Sequence, residues 1–195
     1  MNRFLIITMA ALFAFTSGAA FAQPLRTVTT DGCSVVTELG YGIKINKNSS
    51  LRRTLVVIND PNCPVQLDAA GINTEYSDRS YSYRPTGTAK ATENLSAIEI
   101  RYLLFDMFGN HIKTLSGTEV ADVASGASIQ LKEIGSWRAW EIEVSKLLTI
   151  VSFVGNARTA NGRVWKYREK PISEELNKIR LSVTSGVLDP TKDGK

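Results

Sequence analysis

Residues 96–106, SAIEIRYLLFD, limit the possible folds more than any other stretch of the chain. Ile98, Ile100, Tyr102 and Leu104 alternate onto one face, which is the period of a strand and not of a helix. The other face starts polar at Glu99 and Arg101 and turns apolar at Leu103 and Phe105. This pattern predicts a strand that is half covered at one end and fully covered at the other.

The segments around it read as further short strands. MFGN turns and HIKTLSG returns, and VASGASIQL adds another turn and strand. Upstream, SVVTEL and YGIKINK are rich in β-branched residues, and RRTLVVIND stops at DPNCP, where two prolines and two turn formers forbid continuation. PVQLDAAGINTEYS predicts two short strands about a turn at Gly71. DRSYSYRPTGTAKATENL predicts a long hairpin tip or an edge connection, because of Pro85 and Gly87. Residues 148–168 predict a hairpin closed by Asn161-Gly162 as a two-residue type I′ loop. Residues 136–148, SWRAWEIEVSKLL, fit a helical spacing capped by Ser136 and also a strand alternation, so a short helix or an irregular crossing is expected. PISEELNKIRLSV predicts a helix with Pro171 in its first turn and Ser173 as a cap, and LDPTKDGK a polar tail. Together these predict an all-β fold, an antiparallel β-sandwich with a short C-terminal helix.

The N-terminus sets the expected compartment. MNRFLIITMAALFAFTSGAAFA carries Arg3, an apolar run over residues 4–15, and small residues at Ala20 and Ala22 around Phe21. That is the pattern of a secretory signal cleaved between Ala22 and Gln23. Its apolar run is shorter than the ~20 residues that a spanning helix needs. The expected organisation is a cleaved signal at 1–22, a sandwich domain at 23–170, and a helix with a polar tail at 171–195, periplasmic or secreted, with no transmembrane segment after cleavage. Without Arg3 the chain holds 22 basic and 19 acidic residues. So mild and interspersed a balance does not point to a nucleic-acid partner. In an oxidising compartment the two cysteines, Cys33 and Cys63, predict a disulfide. Closing that loop of about thirty residues is worth roughly 3–4 kcal/mol in the chain-entropy picture.

No chemical motif assembles. The one histidine, His111, sits beside a turn, and no serine lies in a G-x-S-x-G elbow. One His and two Cys leave too few ligands for a zinc site. The DPTKDG run from Asp189 to Gly194 matches only the start of a calcium loop and lacks its closing Glu. Neither a metal nor a cofactor is expected. Two surfaces stand out as candidates for binding. Tyr76, Tyr81 and Tyr83, interleaved with Arg79 and Arg84, compose a polar-aromatic face of a kind that takes sugars, peptides or aromatic ligands, or else pack on their own sheet. Arg163, Trp165 and Tyr167 compose a cationic-aromatic stripe if they point outward. Burying a Trp removes so much apolar area from water that an inward Trp165, in the core or against the C-terminal helix, is the expected arrangement.

Residues 102–106, Tyr-Leu-Leu-Phe-Asp, with Gly109 following, resemble the motif of FxLYD-type bacterial domains, with Tyr102 and Phe105 in place of the usual Phe and Tyr. The surroundings are similar too: VVIN ending at Asn59, and Gly126-Ala127-Ser128 before an outgoing strand. The resemblance covers residues 50–155 and implies an immunoglobulin-like β-sandwich in an exported bacterial protein, with no catalytic residues to carry over. The expected function is an exported, non-enzymatic module of the bacterial envelope that binds a protein, a peptide or an envelope glycan. The alternatives are a hydrolase of envelope polymers using carboxylates such as Glu99, Asp106 or Glu141, and a structural subunit of an envelope assembly. Mass spectrometry of the protein recovered from the envelope or the medium is expected to find Gln23 at the N-terminus; a retained Met1 there would remove the export reading.

Overall fold

A computed structural model of the chain describes residues 24–34, 52–181, 183–184 and 186–191. The signal read at 1–22 and the strands read over 35–47 lie outside the described residues. In chain order the strands are β1 (Arg26–Ser34), β2 (Arg52–Asn59), β3 (Val65–Ser77), β4 (Ser80–Ala91), β5 (Leu95–Asp106), β6 (His111–Glu119), β7 (Ser128–Gln130), β8 (Trp137–Ala139), β9 (Leu147–Thr159) and β10 (Val164–Lys166). Two helices, α1 (Glu141–Lys146) and α2 (Glu169–Lys178), interrupt and follow them. The fold is all-β, in two sheets. One runs β1-β2-β9-β5-β6 with β10 also on β9; the other runs β3-β4-β7 with β8 also on β4.

The half-covered pattern of β5 finds its explanation here. Ile98, Ile100, Tyr102 and Leu104 enter a core shared with Leu67, Ile72 and Tyr83 of the second sheet. On the opposite face, Leu103 and Phe105 join Val151 and Phe153 of β9 beneath Ile172 and Leu176 of α2. Glu99 and Arg101 share that face farther along and bind polar groups instead. The first sheet is therefore covered on both sides over half its length.

Several details differ from the sequence reading. The fold is not wholly antiparallel: β2 and β9 pair in parallel, from Thr54↔Thr149 to Ile58↔Phe153. Alternation fixes a strand's faces but not its direction, and the crossover that a parallel pair needs is supplied here by everything from β3 to α1. β3 is one continuous strand through Gly71, where a Cβ would come within 2.8 Å of Leu55 Cδ2. The β3–β4 turn is Asp78-Arg79, with φ of 48° and 61°, a two-residue loop of the positive-φ kind without its usual Asn or Gly. Pro85 lies inside β4, opposite Ile72. On the other edge of β4 it falls between the residues paired with β8 and those paired with β7, so no neighbour there needs the donor it lacks. β1, a polar Thr-rich segment, carries too little apolar alternation to be read as a strand.

Residues 136–148 resolve into both candidate structures, β8 and then α1, and α1 starts after Trp140 without a cap from Ser136. α2 starts at Glu169 after Arg168, and Ser173 sits inside it, so that residue does not cap either. The loop after β9 holds three residues. Gly162 N donates to Thr159 O at 2.9 Å, Thr159 N donates to Arg163 O at 2.9 Å, and only Gly162 has positive φ. This is a type I turn closed by a left-handed glycine, not a type I′ pair.

Gly87 meets the strictest backbone demand. Its φ is +109°, and a Cβ there would lie 1.7 Å from Ala69 O, where β3 bulges. Gly87→Ala is expected to destabilise the protein by well over ~1 kcal/mol, since the φ violation alone reaches that scale. A thermal melt unchanged by this substitution would mean that the β3–β4 bulge is misplaced.

Candidate functional site

The β3–β4 hairpin brings together only part of the first aromatic set. Tyr76 and Tyr81 are cross-strand partners with ring centroids 4.8 Å apart. Tyr76 is 63% exposed, whereas Tyr81 leans on the inter-sheet core and Tyr83 is fully buried within it. Burial, and after it the nearby Glu143 carboxylate, pushes the Tyr83 phenol well above its ordinary pKa, and its hydroxyl has no hydrogen-bond partner among the described residues. Tyr83 is therefore a core residue and offers no surface handle. Arg79 is exposed at the turn, and Arg84 pairs with Glu75 at 3.1 Å with both side chains about half exposed.

β8 adds what the sequence did not reveal. It pairs with β4 at Tyr81↔Ala139 and Ser82↔Arg138, which brings Trp140 to the hairpin tip. Trp140 is 60% exposed, and the Arg138 guanidinium lies 5.4 Å from its ring centre. The double periodicity of residues 136–148 left the face of Trp140 unassigned, so no pattern marked it as a surface residue. The tip thus carries Tyr76 on β3, Arg79 in the β3–β4 turn, Arg138 on β8 and Trp140 just past β8, with β4 between β3 and β8.

The second candidate stripe is divided. The three-residue loop sets Trp165 opposite Ala157, an inward residue of β9. A two-residue loop would have set it opposite Arg158. Trp165 packs half-buried on the inter-sheet core, whereas Tyr167 packs on Phe153 at 5.3 Å on the helix side. Arg163 is exposed and pairs with Glu93. Beneath Trp165 lies a cavity of about 10 Å³ that Cys63, Asp60 and Arg168 also line, room for on the order of one water. Arg168 closes it with a 2.9 Å ion pair to the buried Asp60.

Cys63 does not form the expected disulfide. Its thiol is free and buried. The β1–β2 register pairs Arg26 with Asn59, just before Cys63, and Ser34 with Arg52 at the far end. Cys33 therefore lies on the order of 20 Å away along the strand pair, whereas a disulfide needs Cα atoms within about 7 Å. Burial pushes the Cys63 thiol up to about 12, which suppresses the thiolate and its reactivity.

The carboxylates named for hydrolysis are committed to structure and stand apart. Glu99 accepts from Arg101 Nε at 3.0 Å and Ser116 Oγ at 2.9 Å, and from Asn156. Burial opposes its ionisation, but these bonds outweigh burial and hold its pKa below the usual range. Asp106 accepts from the backbone N–H groups of Phe108 and Asn110, each at 2.8 Å, and from Asn110 Nδ2 at 3.0 Å. There too the hydrogen bonds overcome burial and lower the pKa. The two lie seven residues apart along β5, roughly 23 Å at strand rise, beyond the ~5–9.5 Å of glycosidase pairs. The side chain of Glu141 lies outside the described residues. His111 opens β6 half-buried, 2.8 Å from Thr114 Oγ1. Among the described residues no three His, Cys, Asp or Glu side chains cluster to hold a metal, and no helix is long and apolar enough to cross a membrane.

No family model matches the chain, and no curated protein matches it. Among solved structures, a hypothetical protein from Peptoclostridium difficile 630 is similar at 11% identity and a TM-score of 0.44, over 66% of this chain and 97% of that one.

The free thiol has a direct consequence. Without reductant, native protein is expected to leave Cys63 unmodified by a thiol reagent, and denatured protein to label at that position. A denatured, unreduced chain in which no thiol labels would restore the disulfide.

Proposed function

We propose that the chain is an exported bacterial binding module, an immunoglobulin-like sandwich that docks on a partner protein through the β3–β4 tip. One observation carries this reading: Trp140 is 60% exposed with Arg138 stacked on it, and Tyr76, 63% exposed, flanks the same tip from the far side of β4. Exposed Tyr, Trp and Arg on a rigid support make up the composition of interface hot spots, where large rigid side chains bury much area at little entropic cost. Arg79 and Arg138 lie beside the exposed rings, so the partner's complementary face is apolar at its centre with acidic groups opposite these two guanidinium groups.

Export is supported by the basic, apolar and small-residue order of residues 1–22. The immunoglobulin-like reading is supported by the positions at which the motif residues act. Asp106 and Gly109 close the β5–β6 turn. Asn59 bonds Leu67 through both side-chain atoms, at 2.8 Å each, and so links β2 to β3 across the two sheets.

In-cell crosslinking of the full chain tests the proposal. The wild-type protein is expected to crosslink to a discrete envelope protein, and Tyr76→Ala with Trp140→Ala to lower that product about tenfold or more, the scale of ~1.4 kcal/mol. Val164→Ala, at an exposed residue of β10, is expected to leave it unchanged. All these substitutions are at exposed sites, so melting temperatures should barely move. Equal crosslinking by the tip variant and the wild type would overturn the reading.

A further inference from the structure

Far from the aromatic tip, the other end of the molecule holds an open groove of about 460 Å³ between three connections: β4–β5, β6–β7 and β9–β10. A second hollow of about 320 Å³ continues it, sharing Asn94 and Ala160 and adding the apolar Leu95, Val123 and Ala124 together with the Asp122 carboxylate, an acceptor. Each lies within the range of small-ligand sites, roughly 300–1,000 Å³.

We infer that this groove is a binding site for a neutral, hydroxyl-rich ligand, a saccharide, independent of the surface at the tip. The donors and acceptors carry the inference. Asn94 Oδ1 accepts from Ser125 N at 2.8 Å, and Asn161 Oδ1 accepts from Thr159 Oγ1 at 2.5 Å and Arg163 N at 3.2 Å. With both carbonyl oxygens committed, the two amides keep their Nδ2 donors for a ligand. Each amide is held in place by its own hydrogen bonds. Glu93, paired with Arg163, adds an acceptor at the rim. Fixed N–H donors beside a carboxylate acceptor match a ring of hydroxyls, each of which both donates and accepts. The apolar Leu95, Val123 and Ala124 match the C–H face of the same ring.

The frame is set before any ligand arrives. Asn94 O accepts from Ala160 N at 2.9 Å, Ser125 Oγ donates to Thr92 O at 2.9 Å, and Leu95 and Val123 exchange backbone bonds at 2.8 and 3.0 Å. All three connections are thus tied to one another, and little ordering cost is left for binding.

The test uses the mature full chain and three neutral probes: the N-acetylglucosamine trimer, maltotriose and cellotriose. Titration by NMR is expected to show saturable shifts of the Asn94, Ser125 and Asn161 amides with at least one of them. Ala160→Phe obstructs the mouth shared by the two hollows while keeping every hydrogen bond of the frame, and is expected to weaken binding tenfold or more without lowering the melting temperature. Asn161→Ala, which removes one donor, should weaken it several-fold. Trp140→Ala at the tip should leave it unchanged, so failure of the docking surface and failure of the groove are told apart. If no probe shifts those amides at millimolar concentration, or if Ala160→Phe binds as the wild type does, the inference falls.

Discussion

A strand buried on both faces needs a layer on each side, and β9 is that strand. Ile150, Val151, Ser152 and Phe153 are all within 1% of complete burial. Alternate residues face the second sheet and α2, and β2 and β5 occupy the two edges. The single polar side chain in this run, Ser152, donates to Ala70 O in β3 at 3.2 Å, so even its hydroxyl joins the two sheets. Where β9 begins, Arg53 of β2 is wholly buried. It donates to Leu147 O, Val144 O and Thr74 Oγ1 at 3.3, 3.2 and 3.1 Å. A buried guanidinium is tolerable only with such partners. Here they include carbonyls towards the end of α1 and at the start of β9, which the guanidinium ties together.

The C-terminal segment completes the outer layer by polar as well as apolar means. Arg101 donates to Leu188 O at 2.6 Å, pairs with Asp189 at 3.0 Å and lies 4.7 Å from the Tyr167 ring centre. Thr191 exchanges bonds with the Thr114 backbone, both at 2.8 Å, and so covers part of the outer edge of β6. An exposed edge invites pairing with another chain. A strap held by one arginine and one threonine closes part of it without a further strand. The polar half of β5 is therefore where the tail fastens.

The sequence made legible whatever depends on alternation and composition. β2, β5, β6, β7 and the β9–β10 hairpin lie where alternating residues and turn formers put them. The polar-to-apolar switch along β5 marked the edge of the helix layer. What escaped depends on partners far away in the chain. The parallel direction of β9 is set by where β2 ends. The burial of Tyr83 and the exposure of Trp140 follow from β8 lying on β4, and the segment containing β8 satisfied two periodicities at once. The disulfide was read from compartment and parity, and neither carries the strand register that separates Cys33 from Cys63. The groove at the loop end had no motif to announce it, because its lining residues come from three separate connections.

One residue of loop length shows how such a distant outcome is decided locally. Asn-Gly suggests two central residues with positive φ, but Asn161 keeps negative φ and only Gly162 turns left-handed. The added residue moves the return strand by one, and in a sheet a shift of one exchanges the faces. Trp165 then meets Ala157 and turns inward, and the cationic-aromatic stripe it would have made with Arg163 and Tyr167 does not form. The same loop leaves Ala160 and Asn161 at the mouth of the groove, with the Asn161 carbonyl turned back onto Thr159. A single backbone choice therefore gives β9 a plug on one side and gives the loop end a fixed amide on the other, so the core and the candidate binding surface cannot vary independently at this turn.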